Sequence, residues 1–528
     1  MAQPISDSNI SSSERESIAA LQAGMVALQM DNQQLREERD ALKQQLDWFQ
    51  RQLFGRKSEK RLIENPDQLD LGALLGDAAP PRVPAPTEKI TYTRRKGKQR
   101  RDEDVTDSGL RFDERVPIET IELSAPQLQG AEAGQYEIID YKVTRRLAQR
   151  PGSYVVLEYR RPVIRDKRAA SVLEVPAPSA VFDNSLADVS LLAGLLVDKF
   201  LYHLPLYRQH QRLADAGITL SRSTLTNYVQ RASGLLEPIY DAQWQHILRS
   251  KVLAMDETPI KAGKGGKGKL KATWYWPVYG EDDEICFTWS MSRGGEHVKH
   301  QLGDFSGTLL SDGYAAYDAY ARGRPAVTQA QCWAHTRRYF ERAQDSDPAA
   351  GEALAIIGAL YQVEAQIRKQ GLEDQAKLDH RSRHALPIVD AFFAWVHAQR
   401  QRTDLVNSAP LAKALMYADN HQAQLRVYLG DPAVAIDTNH LERALRVIPM
   451  GRKNWLFCWS EVGAQQVGII QSLLSTCRLH DVDPYAYLVD VLQRVALHPA
   501  REVGQLTPRC WKALYADSPL RSDLDHAR

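Results

Sequence analysis

The chain runs to 528 residues with a formal net charge of +1, 43% hydrophobic and 25% charged residues, too long for one ordinary hydrophobic core and suited to about two to four domains. Its five cysteines all lie from Cys286 onward without paired spacing, which argues against a disulfide framework and for a reducing compartment. The N-terminus has no apolar signal core, and the most apolar stretch, Leu191 to Val197, stops at Asp198, much too short to span a bilayer; a cytoplasmic protein with no membrane partner is expected.

In chain order, residues 14–62 carry a heptad pattern. Leu21, Leu28, Leu35, Leu42 and Phe49 recur seven apart, with Ile18, Met25, Leu46 and Leu53 on the partner register and Asn32 and Arg39 interrupting it. An Asn at such a position costs stability but favours a defined two-stranded register, so a parallel dimeric coiled coil is expected. Residues 63–110 then turn rich in Pro, Ala and Asp and read as a linker. The linker holds the basic cluster Arg94-Arg-Lys-Gly-Lys-Gln-Arg-Arg101, followed by acidic Asp102-Glu-Asp104; such a run is either a solvated spacer or an arm that touches phosphates.

Residues 111–180 alternate in short strand-like runs, among them Tyr136–Val143 and Ser153–Tyr159, and predict a small β-rich domain. From 185 to 245 the pattern is helical. Leu206–Ala216, a turn at Gly217, and a capped second helix at Thr224–Arg231 read either as a helix-turn-helix or as a helical hairpin packed on the core. In the first reading the second helix presents Arg222 and Asn227 to a DNA groove.

Residues 250–460 predict an α/β domain. Lys251–Met255, Ala272–Tyr279 and Glu284–Ser290 read as successive strands, with the Gly- and Lys-rich stretch Lys261–Lys271 as a basic hairpin loop. A helix at Gly295–Leu302, a strand ending before Asp312, a strand at Ala326–Gln331, and a helix bearing His335, Arg337 and Arg338 follow. A helical insertion is expected over about 347–430, and a helical C-terminal region over 461–528.

Three acidic residues stand out in this domain: Asp256 and Asp312, each after an apolar strand-like run, and Glu442 on an amphipathic helix. Carboxylates delivered this way can hold two divalent cations, which activate an attacking oxygen and stabilise a leaving one in phosphodiester chemistry. Plainer readings exist for each: a carboxylate at the end of an apolar strand, as at Asp256 and Asp312, is often a turn former. Asp312-Gly313 is a common turn dipeptide, Asn439-His-Leu-Glu442 has the spacing of a capping box, and Arg446, one turn from Glu442, could simply pair with it.

Met255-Asp-Glu-Thr-Pro259, Ser311-Asp-Gly-Tyr-Ala-Ala-Tyr317, Cys332-Trp-Ala-His-Thr-Arg-Arg338, Glu442-Arg-Ala-Leu-Arg446 and Gly451-Arg-Lys-Asn-Trp-Leu-Phe457 resemble, in order, the signatures of the insertion sequence 66 family of bacterial DDE transposases. Gln52–Lys60, Leu204–Arg208 and Leu220–Leu225 extend the likeness almost end to end. The resemblance implies a ribonuclease-H-like mixed sheet, Asp256, Asp312 and Glu442 as catalytic metal ligands for Mg2+ or Mn2+, and cleavage and joining of double-stranded DNA at terminal inverted repeats and target. Accessory proteins encoded by the same element are candidate partners on this resemblance. Arg337, Arg338, Arg446, Arg452 and Lys453 are then candidate DNA contacts. Cys332 and His335 make only half a metal site, and the Cys-x-x-His spacing implies support of the active site or DNA contact. One departure stands out: most members carry two Cys-x-x-Cys pairs in the β-rich region, and this chain has no cysteine before Cys286, so no zinc is expected. Two other functions fit the same features, a ribonuclease-H-fold nuclease without strand transfer and a catalytically inactive DNA-binding regulator.

Overall fold

The structure, a computed structural model, describes residues 111–526 apart from 113–115, 130–132, 151, 168–170, 184, 267–268, 456–457 and 459. The expected coiled coil and the linker with its basic cluster lie outside the described residues. His498–Val503 belong to one compact unit and the remaining described residues to another; the fold below is that of the second.

After β1 (Arg111–Phe112), four strands make a small sheet: β2 (Ile118–Glu122), β3 (Tyr136–Arg150), β4 (Ser153–Asp166) and β5 (Val172–Glu174). β4 forms its centre, antiparallel to β3 on one side and parallel to β2 on the other, and β5 also pairs with β4. The strands expected at 136–143 and 153–159 are the two arms of one long hairpin, whose turn carries Gly152 at φ +82°, a conformation open to glycine at little cost. Leu147, Ala148, Val155, Val156, Leu157 and Tyr159 at the turn end are buried, while Ile138, Ile139, Tyr141 and Val143 at the far end are exposed.

The helical segment begins with α1 (Val189–Leu196), capped by Asp188 and wholly buried, followed by α2 (Leu206–Asp215), β6 (Ile218–Thr219) and α3 (Arg222–Ile247). Ser221 caps α3 by accepting from the Thr224 N–H at 3.0 Å. A short second helix was expected here; α3 instead runs for 26 residues. Its first turns expose Arg222 and Asn227, but further along it is a core helix, with Gln243 donating to the Ile285 carbonyl at 2.9 Å.

The central sheet contains β7 (Val252–Met255), β8 (Thr258–Gly266), β9 (Lys269–Tyr279), β10 (Ile285–Ser290), β11 (Gly307–Ser311) and β12 (Val327–Gln331), in the order β10-β9-β7-β11-β12 with β8 on β9. β10, β9 and β7 are antiparallel neighbours, whereas β7, β11 and β12 run parallel. Parallel neighbours need crossovers, supplied by α4 (Gly295–Leu302) between β10 and β11 and by α5 (Ala315–Ala321) between β11 and β12. Both helices bury their apolar stripe against one face, where Leu253, Met255, Trp276, Val298, Leu302, Leu309, Tyr317 and Tyr320 form the core.

The stretch Lys261–Lys271, expected as a loop, is instead mostly two paired strand arms. Its glycines mark register shifts at Ala262/Lys264 and Lys264/Gly266, the ordinary place for glycine inside a strand. The far edge of β8 is closed by Cys458, which exchanges backbone bonds with Lys261 and Gly263.

After β12 come α6 (Trp333–Ala343) and the helical insertion: α7 (Ala349–Gln370), α8 (Asp374–His380), α9 (Leu386–Arg400), α10 (Pro410–Asn420) and α11 (Gln422–Arg426). Trp333 and Phe340 of α6 pack on Phe392 of α9, and a buried Arg381–Glu364 pair ties the insertion internally. The chain returns through α12 (Asn439–Leu445) and α13 (Val447–Trp455) to α14 (Glu461–Leu479).

α14, read from the sequence as the start of a separate C-terminal region, covers the open edge of β10. Ser472 and Thr476 accept from the Phe287 and Ile285 N–H groups at 2.8 and 3.2 Å, satisfying donors that an edge strand would otherwise leave for another chain. Gly468 lets the helix sit this close, since a Cβ there would run into the Phe287 carbonyl.

Candidate active site

Asp256 and Asp312 stand side by side because β7 and β11 do. The parallel register pairs Ala254 with Leu310, and each aspartate lies two residues further on. Glu257 joins them: Asp256, Glu257 and Asp312 each offer a carboxylate oxygen within 4.8 Å of the others'. Asp256 accepts from the Glu257 N–H at 2.7 Å, and Asp312 from the Tyr314 N–H at 3.0 Å. Burial pushes the Asp256 carboxyl up to about 7, with Asp312 adding most among the nearby charges and Glu257 and Glu442 also contributing. A cation at this spot would relieve that crowding.

Glu257 was not singled out in the sequence, although it lies within Met255–Pro259. Its side chain is 2% exposed, and it accepts from Arg293 Nε and from the Tyr317 hydroxyl, both at 2.9 Å. Burial raises its pKa while these two bonds oppose the rise. Arg293 in turn lies over the Tyr314 and Trp274 rings at 4.1 and 5.2 Å. Arg293 has no local signal in the sequence; only the fold brings it here.

Glu442 falls outside the close trio, yet it is near enough to act on Asp256 through charge. Its two oxygens accept from Arg338 Nη2 at 2.6 and 2.5 Å, and His335 Nε2 lies 3.7 Å away. The helix begins at Asn439 after Thr438, and Asp437 rather than Glu442 accepts the Asn439 N–H, at 3.0 Å. The capping-box geometry is therefore not the one that forms. Nor does Arg446 take Glu442: it is exposed one turn away, while the partner comes from α6.

Cys332 links the helix of Glu442 to α6, and His335 sits beside that carboxylate. The Cys332 sulfur accepts from both the N–H and the hydroxyl of Thr438 at 3.3 Å, and the Trp333 N–H donates to the Ile436 carbonyl at 3.1 Å. The start of α12 is thus pinned to the start of α6. Burial pushes the Cys332 thiol up to about 11, so it is a neutral anchor at ordinary pH.

Of the other expected contacts, Arg337 pairs with Glu341 on its own helix at 2.9 Å, and Arg452 donates to the Pro259 carbonyl, tying α13 to the segment beside Asp256. Lys453 is exposed. Arg222 and Asn227 are exposed on α3, where the Arg222 guanidinium lies 6.0 Å from the Tyr207 ring centre.

Fold and site together define a mixed α/β protein that gathers carboxylates at the end of its central sheet. A family profile described as Transposase IS66 family matches residues 184–466, more than half of the chain, and one described as IS66 C-terminal element matches residues 472–509. The chain belongs to the IS66 transposase family. A third profile, transposase C of IS166 homeodomain, matches residues 41–110. The chain is also similar to three uncharacterized proteins of Sinorhizobium fredii (strain NBRC 101917 / NGR234). It is 32% identical to y4jD over 65% of this chain and 70% of that one, and 31% identical to y4hP over 70% of each. It is 29% identical to y4qI over 69% of this chain and 70% of that one. No helix among the described residues is long and apolar enough to cross a membrane.

Proposed function

We propose that the chain cuts DNA at the ends of an insertion sequence and joins the freed 3′-hydroxyl to target DNA, using divalent metal held by Asp256, Asp312 and Glu442. The observation that carries this reading is the side-by-side delivery of Asp256 and Asp312 from adjacent parallel strands, with Glu442 close enough to raise the Asp256 pKa. The sheet order, with three antiparallel strands followed by two parallel ones reached by crossover helices, supports a ribonuclease-H-type catalytic domain over about 250–460, interrupted by the insertion.

The donor set fits the metal. All the converging atoms are carboxylate oxygens, which suit Mg2+ or Mn2+. When bound, such ions activate the attacking oxygen and neutralise charge on the phosphate. The chain's own residues do the rest. Arg338 balances Glu442 and keeps it aimed, Arg293 and Tyr317 fix the Glu257 carboxylate beside the two aspartates, and Cys332 with Thr438 fixes the helix that carries Glu442.

DNA is the partner this family implies. Arg222 and Asn227 at the exposed start of α3, with Arg337, Arg446 and Lys453, are proposed contacts. The small β-rich region and a dimer through residues 14–62 complete the proposed arrangement. The decisive experiment incubates purified protein with a labelled terminal repeat, a target duplex and Mg2+. Cleavage followed by joining is expected. Cleavage without joining leaves a nuclease, and metal-independent binding without cleavage leaves a regulator.

A further inference from the structure

The hydrogen bonds of β11 end at Ser311, whose carbonyl accepts from the Cys332 N–H at 3.0 Å. Asp312 lies one residue beyond, and the next residue is Gly313 at φ +81°. A glycine beside a ligand is a hinge unless something outside the strand holds it, because its backbone tolerates many conformations. Sheet register therefore brings Asp312 near Asp256 without fixing the 312–313 peptide.

Besides the local bond from the Tyr314 N–H to the Asp312 carboxylate, the peptide itself is held from the insertion. The Tyr417 hydroxyl on α10 donates to the Asp312 carbonyl at 2.6 Å and accepts from Gln331 Nε2, at the end of β12, at 2.5 Å. The Tyr417 ring stacks on Tyr339 of α6 with centroids 4.2 Å apart, and His421 Nδ1 meets the Tyr417 carbonyl at 2.7 Å. The space is closed around Gly313: a Cβ there would run into Gln331 and lie 3.0 Å from the Tyr417 hydroxyl and 3.1 Å from His421 Nε2.

We propose that Tyr417 is a positioning residue for the candidate metal site, clamping the Asp312–Gly313 peptide so that the helical insertion sets where the Asp312 carboxylate points. This inference rests on the reading of Asp312 as a metal ligand. It gives the insertion a direct part in the site, through one hydroxyl bridging α10, β12 and the Asp312 turn.

The test is Mn2+ binding to the full chain, read from the electron paramagnetic resonance of free Mn2+, alongside thermal melting without metal. Tyr417→Phe keeps the ring and its stacking but removes the bridge. It is expected to weaken Mn2+ binding by about tenfold, the order of one buried hydrogen bond lost, while the melting temperature falls by only a few degrees. Gln331→Met removes the donor to the same hydroxyl and is expected to weaken binding by about threefold; it stands in if Tyr417→Phe does not fold. Asp312→Asn checks the parent reading. If Asp312→Asn binds Mn2+ as well as the parent, the metal assignment itself fails. If Asp312→Asn loses binding while Tyr417→Phe, or Gln331→Met in its place, keeps the parent's affinity, the clamp alone is overturned.

Discussion

The two halves of the candidate site are built by different means. Asp256 and Asp312 come from the ends of neighbouring parallel strands, so backbone hydrogen bonds shared along β7 and β11 bring them together. Glu442 comes from a short helix that returns only after the whole insertion, and side chains hold it: Arg338 on its oxygens, Cys332 on Thr438. A register is shared by many bonds and is hard to shift one residue at a time. A side-chain scaffold rests on a few contacts, each removable by one substitution. Strand register should therefore hold the two aspartates together, leaving only the Asp312–Gly313 peptide to a side chain, Tyr417, whereas the glutamate half should respond to mutation through position throughout.

The largest effect expected is loss of chemistry. Asp256→Asn and Glu442→Gln should each lower cleavage and joining by about a thousandfold or more, with folding and DNA binding kept, and Glu442→Asp should be severely impaired because the shorter arm displaces the carboxylate. Asp437→Asn should be much milder, since that side chain bonds Asn439 at the helix start. Gel assays of cut and joined products decide this; an active Glu442→Gln protein would take the third carboxylate out of the site.

Next is the pH dependence of the metal-free fold, which belongs to the aspartate half. The Asp256 pKa is raised to about 7 in the fold, against an unfolded value near 4. Below about pH 4 both states carry the proton and no penalty exists. As pH rises from there the unfolded chain ionises first, so the fold loses stability, and the loss is complete above about pH 7. Asp256→Asn removes that loss. Urea midpoints without metal should favour the variant by on the order of 2–4 kcal/mol at pH 8 and by much less at pH 5. Equal differences at both pH values would mean that Asp256 is not protonated in the metal-free fold. Mn2+ affinity of the parent should accordingly rise as pH passes up through about 7.

A smaller effect separates position from charge in the glutamate half. Cys332→Ala removes the acceptor of two bonds from Thr438 without touching a carboxylate. It should cost about 1 kcal/mol of stability and lower cleavage by about tenfold, leaving Mn2+ binding at the aspartates near the parent value. Cleavage at the parental rate would show that α12 needs no anchor from α6. The smallest effect is expected at the surface. Arg446→Ala should leave stability within about 0.5 kcal/mol, whereas Arg338→Ala should lose up to about 1 kcal/mol, limited by its 42% exposure. Chemical melts compare them directly.

Much of the central domain is legible in order along the chain. Val252–Met255, Ile285–Ser290, Gly307–Ser311 and Val327–Gln331 are short apolar runs bounded by turn residues, and α4 and the insertion show helical periodicity. β8 was missed because its glycines and lysines carry neither strand propensity nor alternation; pairing with β9 and Cys458 makes it a strand. The length of α3 was missed because its buried half looks locally no different from its exposed half, and the difference lies in what packs on it.

Asp256 and Asp312 stood out because a carboxylate at the end of an apolar run is a local event, and Glu442 because it sits on an amphipathic helix; local chemistry is written in neighbouring letters. Glu257 could have been found on the same ground, one residue from Asp256. Arg293, Arg338 as the partner of Glu442, Cys332 as the anchor of Thr438, and Tyr417 over Asp312 carry no such mark. Each acts on a group between 36 and 106 positions away, so its partner is chosen by how the sheet orders its strands and where the insertion folds back. Sequence by itself determined most of the elements of the central domain, β8 and the full length of α3 excepted, and which carboxylates they carry, because periodicity and turn chemistry act over a few residues. Only the tertiary structure decided which side chains hold those carboxylates in place, because those contacts exist only once distant segments are packed together.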